Sequence, residues 1–397
     1  MTQELSSPTM TERENTSEHS PVFGKKTNSE RLQQSTNMSQ FMIDLYEWLH
    51  PGTVEKIDIA CADTNWNGYL NVTNIPLGLT YLLTGITYEA LYLPCMIIMA
   101  RPKFFGMTCY KILFAMGIVD MVSVVPNSIF AGYYLLVGGS MCNYMASNMW
   151  GGHIAYAMWC AYCLFGIILG LNRCLDFLAP SLGEDLFSGR RLGAIISLPF
   201  LFFTGVLVFD YGPFFHPYLA AYFFDVNPFQ PKEKRPVHML NNFGVTVIVL
   251  VLNCIMLWSM IQMTRRTTQG VSTLQKVIVL QCLAICTIMI IASGIYATMQ
   301  LITLPIIFTV ISTMMWQFSN GSNAIFYLLV NRSMRREVIN LIKWTLCMKI
   351  EEQGSLGKSS MSKQHIIGNE KRSVTKTEDS RTELLTPPEK KDIDFIL

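Results

Sequence analysis

The sequence predicts an all-α membrane protein, a bundle of seven transmembrane helices with its N-terminus outside and an amphipathic helix after the seventh span. Its composition is the first reason: 51% of the 397 residues are hydrophobic and only 15% are charged, whereas soluble domains carry about 25% charged residues. The second reason is that the apolar residues gather in seven stretches of the roughly 17–25 residues that cross a bilayer as helix. A membrane β-barrel, built from roughly ten-residue alternating segments, is thereby excluded.

The chain divides into four parts. Residues 1–75 form an extracellular N-terminal segment, of which the polar residues 1–40 are predicted to be disordered. Residues 76–330 form the membrane core, residues 331–349 an amphipathic juxtamembrane helix, and residues 350–397 a disordered cytoplasmic tail. The seven predicted spans are Pro76–Ala100, Ile112–Val137, Asn148–Leu171, Leu192–Tyr211, Phe243–Met263, Val277–Met299 and Thr303–Val330.

The distribution of Lys and Arg sets the orientation. With the N-terminus outside, the segments next to the spans carry fourteen basic residues on the inner side and four on the outer side, namely Lys56, Lys232, Lys234 and Arg235; the tails, residues 1–40 and 350–397, are left out of this count. The positive-inside rule therefore places the C-terminus in the cytoplasm. The net charge of +2 conceals this asymmetry and gives no indication of nucleic-acid binding; the expected environment is the lipid bilayer.

This orientation also sorts the candidate modification sites. Only Cys61 and Cys142 of the eleven cysteines face the oxidising side, so a disulfide between them is the leading interpretation. Two free thiols, or a covalent dimer through one of them, are the alternatives. The glycosylation sequons at Asn15, Asn37 and Asn71 lie on the same outer side.

An ionisable group inside a span is costly and marks a functional candidate. Asp120 lies near the middle of the second span, and the seventh span offers Ser319, Asn320 and Asn323 as polar partners. These residues are expected to form an intramembrane polar network that hydrogen-bonds Asp120 or helps to hold a sodium ion. A protonated, purely structural Asp120 is the alternative. No other cofactor or metal is expected.

Aromatic residues near the outer end of the third span indicate a ligand pocket. Trp150, His153 and Tyr156 can form one wall of a cavity between helices, and Tyr296 of the sixth span is assigned to the same pocket. Packing of an interfacial aromatic belt explains the pattern equally well. A mostly neutral, aromatic pocket favours a small, weakly charged ligand.

The stretch after the seventh span predicts an amphipathic helix. Apolar residues recur there at helical spacing, and basic residues occupy the rest of its circumference. Such a helix lies on the inner leaflet of the bilayer. Cys347 at its end is a candidate for palmitoylation. The apolar positions are Met334, Val338, Leu341 and Ile342.

Several motifs, in this order and spacing, resemble those of the Srt class of nematode serpentine chemoreceptors, which are seven-helix G-protein-coupled receptors. The resemblance extends over about Tyr69 to Lys343. The motifs are Cys109-Tyr110-Lys111-Ile112 ahead of Asp120, Leu171-Asn172-Arg173-Cys174 closing the third span, Leu186 to Arg191 in the second inner loop, and Phe223 to Pro228 in the second outer loop.

The resemblance implies ligand detection in the outer half of the bundle and activation of a heterotrimeric G protein inside, in the plasma membrane of sensory cells. Asn172 and Arg173 match the family's Asn-Arg element. Asn323 and Tyr327 match the Asn-Pro-x-x-Tyr element, with Ala324 in place of proline. These four residues are expected to form the activation switch that couples to the G protein.

Two departures concern the outer and inner ends of the third span. The second outer loop contains no cysteine, so the usual receptor disulfide to Cys142 cannot form, which strengthens Cys61 as its partner. Asn172 cannot supply the acidic neighbour that normally pairs with Arg173, and the third inner loop has no Asp or Glu. We therefore expect the resting-state ion pair to be absent, which leaves open what holds the inactive state and would permit high basal signalling.

A channel or transporter is the rival interpretation, based on the scattered polar groups Glu89, Asp120 and Asn320. Against it, each of two helices carries a lone acid, and the sequence shows no ring of charge and no pair of broken helices. An enzyme is disfavoured because the six histidines show no metal-ligand spacing. The absence of lysine from residues 277–331 rules out a retinal Schiff base in the seventh span.

Overall fold

The computed structural model describes residues 28–63, 69–227, 235–266, 273–302 and 305–345. The sequon at Asn15 and the cysteine at position 347 lie outside the described residues.

Seven long helical segments build the bundle, as predicted. Six of them combine the length and the hydropathy needed to cross a membrane; the seventh, 24 residues long, has a lower mean hydropathy because one of its faces is polar. In chain order, the spans are α3 (Ile75–Met99), α5 (Thr108–Val124) continued through a π-helical turn (Val125–Phe130) into α6 (Ala131–Val137), α7 (Met145–Leu178), α9 (Gly189–Phe209), α10 (Pro236–Arg266), α11 (Thr273–Leu301) and α12 (Ile306–Leu329).

Helix α7 lies at the centre of the bundle and α9 at its edge. Of the apolar window of α7, 78% is buried inside the protein, compared with 17% for α9. The sequence of α7 explains this position, because Gly, Ala and Cys recur along it and small residues let neighbouring helices approach closely.

The second span changes its winding at Pro126. Proline has no N–H for the helix ladder, and here it lies in the π-helical turn between α5 and α6. The carbonyl oxygens of Pro126 and Asn127 accept hydrogen bonds from the side chains of Tyr222 and Gln317, at 2.7 and 2.9 Å. The irregular turn therefore ties this span to the second outer loop and to α12.

At the end of the bundle that the sequence predicts to be cytoplasmic, called inner below, two short helices, α4 (Pro102–Phe105) and α8 (Pro180–Leu186), occupy the first and second loops, and α13 (Arg332–Thr345) follows the last span. The opposite end is called outer. In α13, Met334 and Val338 are buried, and Leu341 packs at the margin of the core. Ile342, expected on the same face, is 44% exposed, so the buried stripe is narrower than the spacing predicts.

An ion-pair cluster joins α13 to the first inner loop. The Glu337 carboxylate lies 2.9 Å from Lys103 Nζ and 3.6 Å from an Arg101 guanidinium nitrogen. The hydrogen bond from Lys103 holds the pKa of Glu337 below its usual value. The contact fixes the start of α13 against the inner mouth of the first span.

The N-terminal segment folds on the outer side as two helices, α1 (Asn28–Leu49) and α2 (Thr53–Ala62). The prediction that residues 1–40 are disordered is wrong for residues 28–40, which form the first half of α1. The later half of α1 is fastened to α7: the Trp150 indole donates to the carbonyl of Met42 at 2.8 Å, and Tyr46 is fully buried. Once these contacts nucleate the helix, its extension by further polar residues costs little.

The second outer loop forms a buried β-hairpin. Strands β1 (Phe214–His216) and β2 (Ala221–Phe223) pair antiparallel, with Phe215 opposite Tyr222. Both of these side chains are buried in the main core. The hairpin therefore lies within the outer end of the bundle.

Candidate functional site: an aromatic cavity above a buried polar network

A cavity lies between the outer ends of the helices, beneath the hairpin. It comprises about 600 Å³ of space free of atoms, including the part open to solvent. Helices α7, α10, α11 and α12 supply one part of its wall, and the second outer loop supplies the remainder. Its lining residues are Tyr156, Trp159, Pro213, Tyr222, Phe223, Phe224, Asp225, His238, Tyr296, Met299 and Trp316.

Aromatic rings surround this cavity in mutual contact. The Trp316 ring centre lies 5.6 Å from Tyr296, 5.8 Å from Tyr222 and 6.2 Å from Trp159, each in an edge-to-face arrangement. The His238 ring lies 5.6 Å from Tyr156. Edge-to-face packing of this kind holds ring orientations, so the site offers a rigid, mostly apolar surface to a ligand.

The structure divides the predicted pocket residues into two groups. Tyr156 and Tyr296 line the cavity, whereas the assignment of Trp150 and His153 to it is wrong. Trp150 binds the backbone of α1, and His153 Nε2 contacts the carbonyl of Val206 at 3.2 Å. Both side chains lie on the face of α7 that packs against α1. The spacing of aromatic residues along one helix does not show which of its faces borders the cavity and which packs against another segment.

His153, on that face of α7, packs edge-to-face against a second histidine. The rings of His50 and His153 lie 4.9 Å apart, and His50 Nε2 contacts the carbonyl of Leu207 at 3.1 Å. Burial lowers the pKa of His50. This pair therefore joins the end of α1 to the end of α9, outside the cavity.

Asn148 at the start of α7 fastens the hairpin. Its Oδ1 accepts the backbone N–H of Phe215 at 2.8 Å, and its Nδ2 donates to the carbonyl of the same residue at 3.2 Å. The amide thus takes the place of a neighbouring strand, and Asn148 is fully buried. These two hydrogen bonds hold the second outer loop to α7, the helix to which the usual receptor disulfide would join it.

The loop also crosses α7 with its backbone in direct contact. A Cβ added to Gly152 would lie 1.8 Å from the carbonyl oxygen of Pro213, and one added to Gly212 would lie 2.2 Å from the Cα of His153. Only glycine allows such an approach at either position. Two further hydrogen bonds attach the loop to other spans. The Tyr81 hydroxyl of the first span donates to the carbonyl of Ala220 at 3.2 Å, and the Tyr222 hydroxyl donates to the carbonyl of Pro126 in the second span.

A carboxylate stands behind the cavity wall. The Tyr156 hydroxyl and the backbone N–H of Tyr211 both donate to Asp210, each at 2.9 Å. The guanidinium carbon of Arg235 lies 3.3 Å from the centre of the Tyr211 ring. Burial raises the pKa of Asp210 and lowers that of Arg235 to about 10. The hydrogen-bonding capacity of the Asp210 carboxylate is therefore taken up in part by the wall residue Tyr156 and by the backbone of Tyr211.

Asp120 forms the centre of the predicted polar network and is fully buried. Its Oδ2 lies 2.6 Å from the Tyr92 hydroxyl and accepts a hydrogen bond from Asn323 Nδ2 at 2.8 Å. The Tyr92 hydroxyl also lies 2.6 Å from the carbonyl oxygen of Asn320. Asn320 Nδ2 donates to Ser123 Oγ at 2.8 Å. Both asparagines therefore take part as expected, and Tyr92 joins them.

The fourth predicted member, Ser319, takes part through its backbone. Its hydroxyl donates to the carbonyl of Trp316, and its own carbonyl accepts the Tyr162 hydroxyl at 2.9 Å. Tyr162 stacks on Trp159 with ring centres 5.6 Å apart. A continuous set of contacts therefore leads from the cavity wall to the backbone of α12 beside the network.

Four buried oxygens of this region have no hydrogen-bond partner within the described part of the chain: Oδ1 of Asp120, Asn127, Asn320 and Asn323. Carboxylate and amide oxygens are the ligands that a hard cation prefers. The residues present therefore fit a sodium ion. The described residues contain no cluster of three His, Cys, Asp or Glu side chains suited to a metal ion.

At the inner end of α7, Arg173 Nη2 donates to Asn172 Oδ1 at 2.6 Å, and Nη1 lies 3.0 Å from Asp176 Oδ2. The expectation that Arg173 lacks an acidic partner is therefore wrong. The partner lies one helical turn further along α7, a position that the comparison with the usual adjacent acid did not include. Tyr327 is fully buried, and its hydroxyl has no partner among the residues described here.

On the outer face, Cys61 and Cys142 form a disulfide, with their Cα atoms 5.7 Å apart. It joins α2 to the loop before α7. Asn37 and Asn71 are both exposed; the amide oxygen of Asn71 accepts a hydrogen bond from Asn143 at 3.2 Å.

Comparison with known proteins agrees with this architecture. The model of the family described as serpentine type 7TM GPCR chemoreceptor Srt matches residues 47–352. The chain belongs to this family. A relative in Caenorhabditis elegans, "Serpentine receptor class T-55", is 24% identical over 300 residues, which cover 72% of this chain and 80% of that protein. The crystal structure of squid rhodopsin has the same fold, with a TM-score of 0.52 and 11% identity over 73% of this chain and 92% of that one.

This Srt-family chain also uses residues that sequence reasoning did not assign to the site. Trp316, His238 and Asn242 belong to the cavity or its support, and Tyr92 belongs to the network. Each is one polar or aromatic residue in an apolar helix, and nothing in its local pattern distinguishes a cavity position from a packed one. For Trp316 one signal was available: it lies on the face of α12 opposite the exposed apolar residues, which is the face turned toward the interior of the bundle.

Proposed function

We propose that this protein is a chemosensory receptor of the plasma membrane of sensory cells. A small ligand reaches the aromatic cavity from the extracellular side, and its binding activates a heterotrimeric G protein at the inner ends of the helices. The observation that carries the proposal is the continuous path of buried contacts from the cavity through Trp159 and Tyr162 to the polar network around Asp120.

The proposed orientation is supported by charge. Next to the spans, with the tails 1–40 and 350–397 left out, the outer side carries four Lys and Arg residues and the inner segments fourteen, as the positive-inside rule requires. The disulfide agrees with this placement, because disulfides persist in oxidising compartments. The basic helix α13 then lies at the inner leaflet.

The switch operates through a change in population. A ligand that contacts Trp159 and Trp316 differently in two arrangements of the bundle favours one of them by the difference in its affinities. Because Tyr162 stacks on Trp159 and bonds the backbone of α12, movement of the wall alters the setting of Asn320 and Asn323 around Asp120. At the inner end, Arg173 leaves Asp176 and, with Tyr327, turns toward the opening that receives the G protein.

The test is agonist-evoked nucleotide exchange in cells that express the full chain with a promiscuous Gα subunit. Arg173→Ala should abolish the evoked signal while surface expression persists. Arg190→Ala, at an exposed position in the first turn of α9, is the matched control and should signal normally. Full signalling by Arg173→Ala would refute the assignment, and ligand-gated current without G-protein activation would favour the channel reading.

We also propose that a sodium ion binds beside Asp120 and takes up the unpartnered oxygens of Asn320 and Asn323. The ion would neutralise the buried carboxylate and stabilise the resting arrangement. A ligand that binds only the folded state raises stability by RT ln(1 + [L]/Kd). The melting temperature of the purified receptor should therefore rise with NaCl more than with choline chloride, and Asp120→Asn should remove the difference. Equal melting in both salts would contradict the proposal.

A further inference from the structure

The aromatic cavity contains two buried hydrogen-bond donors without partners. His238 and Trp316 both line it, and each is 4% exposed. Neither His238 Nδ1 nor Trp316 Nε1 has a hydrogen-bond partner among the residues that the structure describes. An indole nitrogen can only donate, and buried polar groups in folded proteins are normally satisfied.

The state of His238 is fixed by a chain of hydrogen bonds behind the cavity. Trp159 Nε1 donates to Asn242 Oδ1 at 2.8 Å, and Asn242 Nδ2 contacts His238 Nε2 at 2.9 Å. Because the indole has no acceptor, the Asn242 amide must turn its oxygen toward Trp159 and its NH₂ toward the histidine. His238 Nε2 must then carry a lone pair, so the proton is on Nδ1. The unpartnered nitrogen of this cavity-lining residue is therefore an N–H donor.

The two donor residues both lie close to one ring, that of Tyr296. The His238 and Trp316 ring centres lie 6.5 and 5.6 Å from the centre of Tyr296. They project from different helices, α10 and α12. A ligand bound against Tyr296 can reach a donor from each, and it then bridges two helices of the bundle.

The charges around the cavity exclude the ionic classes of ligand. No Lys or Arg is found among the described residues that line it, so an organic anion has no countercharge there. The Asp210 carboxylate behind the wall is engaged by Tyr156 and Tyr211. Asp225 lies half-buried on the loop after β2, and it alone among the described lining residues carries a carboxylate. The N–H donors of His238 and Trp316 disfavour a protonated amine beside them, because an ammonium group can only donate hydrogen bonds.

We propose that the cavity binds a neutral, largely apolar molecule that carries an acceptor oxygen, such as the carbonyl of a ketone, ester or lactone. His238 Nδ1–H and Trp316 Nε1–H donate to that oxygen, and the surrounding rings contact the apolar body. This inference rests on the proposed function, since it names the ligand class of the same site.

The test uses three probes of one shape: 2-acetylnaphthalene, 2-ethylnaphthalene and 1-(2-naphthyl)ethylamine. Their affinities for the purified full-length receptor are measured by the rise in melting temperature with probe concentration. The ketone should bind best, with about tenfold higher affinity than the hydrocarbon for each donor engaged. The ratio of ketone to hydrocarbon affinity should fall about tenfold in Trp316→Phe and in His238→Phe. Trp258→Phe, the same change at a side chain 55% exposed on α10, should leave it unchanged.

Preference for the amine, equal binding of ketone and hydrocarbon, or binding of none of the three would overturn the proposal. So would variants of either donor that keep the wild-type ratio. A measurement without ligand covers the case of variants that do not fold: ¹⁵N NMR of the wild-type receptor should show a protonated Nδ1 and an unprotonated Nε2 at His238, and the reverse pattern contradicts the assignment. Failure of the receptor function is distinguishable, because binding with the expected donor dependence would then occur without nucleotide exchange on the G protein.

Discussion

Replacing Asp176 by Asn should raise signalling in the absence of ligand. Asp176 is the acidic partner of Arg173 in the resting bundle, at an N–O distance of 3.0 Å. The substitution keeps the size of the side chain and removes its charge, so Arg173 loses an ion pair while the packing of α7 is retained. In the proposed switch, activation breaks the contact between Arg173 and Asp176, so removing the charge of residue 176 lowers the free energy that activation costs.

The size of the effect follows from the exposure of the pair. The Arg173 side chain is 13% exposed and that of Asp176 39%. Fully exposed pairs contribute about 0.2–1 kcal/mol, and a pair with one partner largely buried lies at the upper end, near 1 kcal/mol. A change of about 1 kcal/mol alters a two-state ratio roughly fivefold. A receptor with about 1% of its molecules active without ligand would then reach about 5%.

The assay is GDP–GTP exchange on a purified heterotrimer, catalysed by unliganded receptor in lipid nanodiscs at matched receptor concentration. Asp185→Asn is the control: its carboxylate pairs with Arg191, but both side chains are largely exposed, at 65% and 60%, and neither belongs to the switch. We expect a several-fold higher basal rate for Asp176→Asn and the wild-type rate for Asp185→Asn. Equal basal rates in all three proteins would refute the role given to the ion pair.

Three further predictions concern the outer half of the molecule. Asn148→Ala leaves the N–H and C=O of Phe215 unpaired in a buried site, and since each costs about 1–3 kcal/mol, the receptor should melt several degrees lower and lose ligand affinity; an unchanged melting curve would contradict the role of this amide. Burial holds the pKa of His216 at about 4, below its usual 6.5. The contribution of the neutral, buried His216 to folding stability is therefore complete above pH 6.5 and is lost as the pH falls toward 4. The variant His216→Gln should show a smaller fall in melting temperature over that interval, and a slope equal to that of the wild type would count against this role. Replacing both Cys61 and Cys142 by Ser opens a bridge across 81 residues of sequence, worth about 4 kcal/mol on the chain-entropy scale, and should expose the α1–α2 segment to limited proteolysis, which intact resistance would disprove.

The membrane fold was readable from the sequence because the bilayer imposes a length and a hydropathy on each span. Even α12, the least apolar of the seven, was identified, since its polar residues are uncharged. Asp120 could also be given its partners in advance. An isolated carboxylate in an apolar helix needs hydrogen bonds, and the seventh span held the nearest dense group of amides and hydroxyls.

The outer face could not be read in the same way. Its geometry depends on contacts between segments far apart in the chain, such as the pairing of Asn148 with Phe215 and the backbone approach at Gly152. Trp150 and His153 show the same limit. Their aromatic character indicated a contact surface on α7, but the pattern of one helix could not show that its partner is the later half of α1.

Because the second outer loop contains no cysteine, Cys142 is not bonded to that loop and is instead bonded to Cys61. The attachment of the cavity roof and the attachment of the N-terminal segment therefore depend on different contacts. The roof of the cavity is held to α7 by an amide and by close backbone contact, and to the first and second spans by hydroxyls. The single disulfide of the described outer face instead secures the helices that precede the first span. Reduction of this disulfide should therefore free α2 from the loop before α7, while α1 stays attached to α7 through Trp150 and Tyr46 and the cavity stays covered. The N-terminal segment and the cavity roof would then respond separately to a reductant.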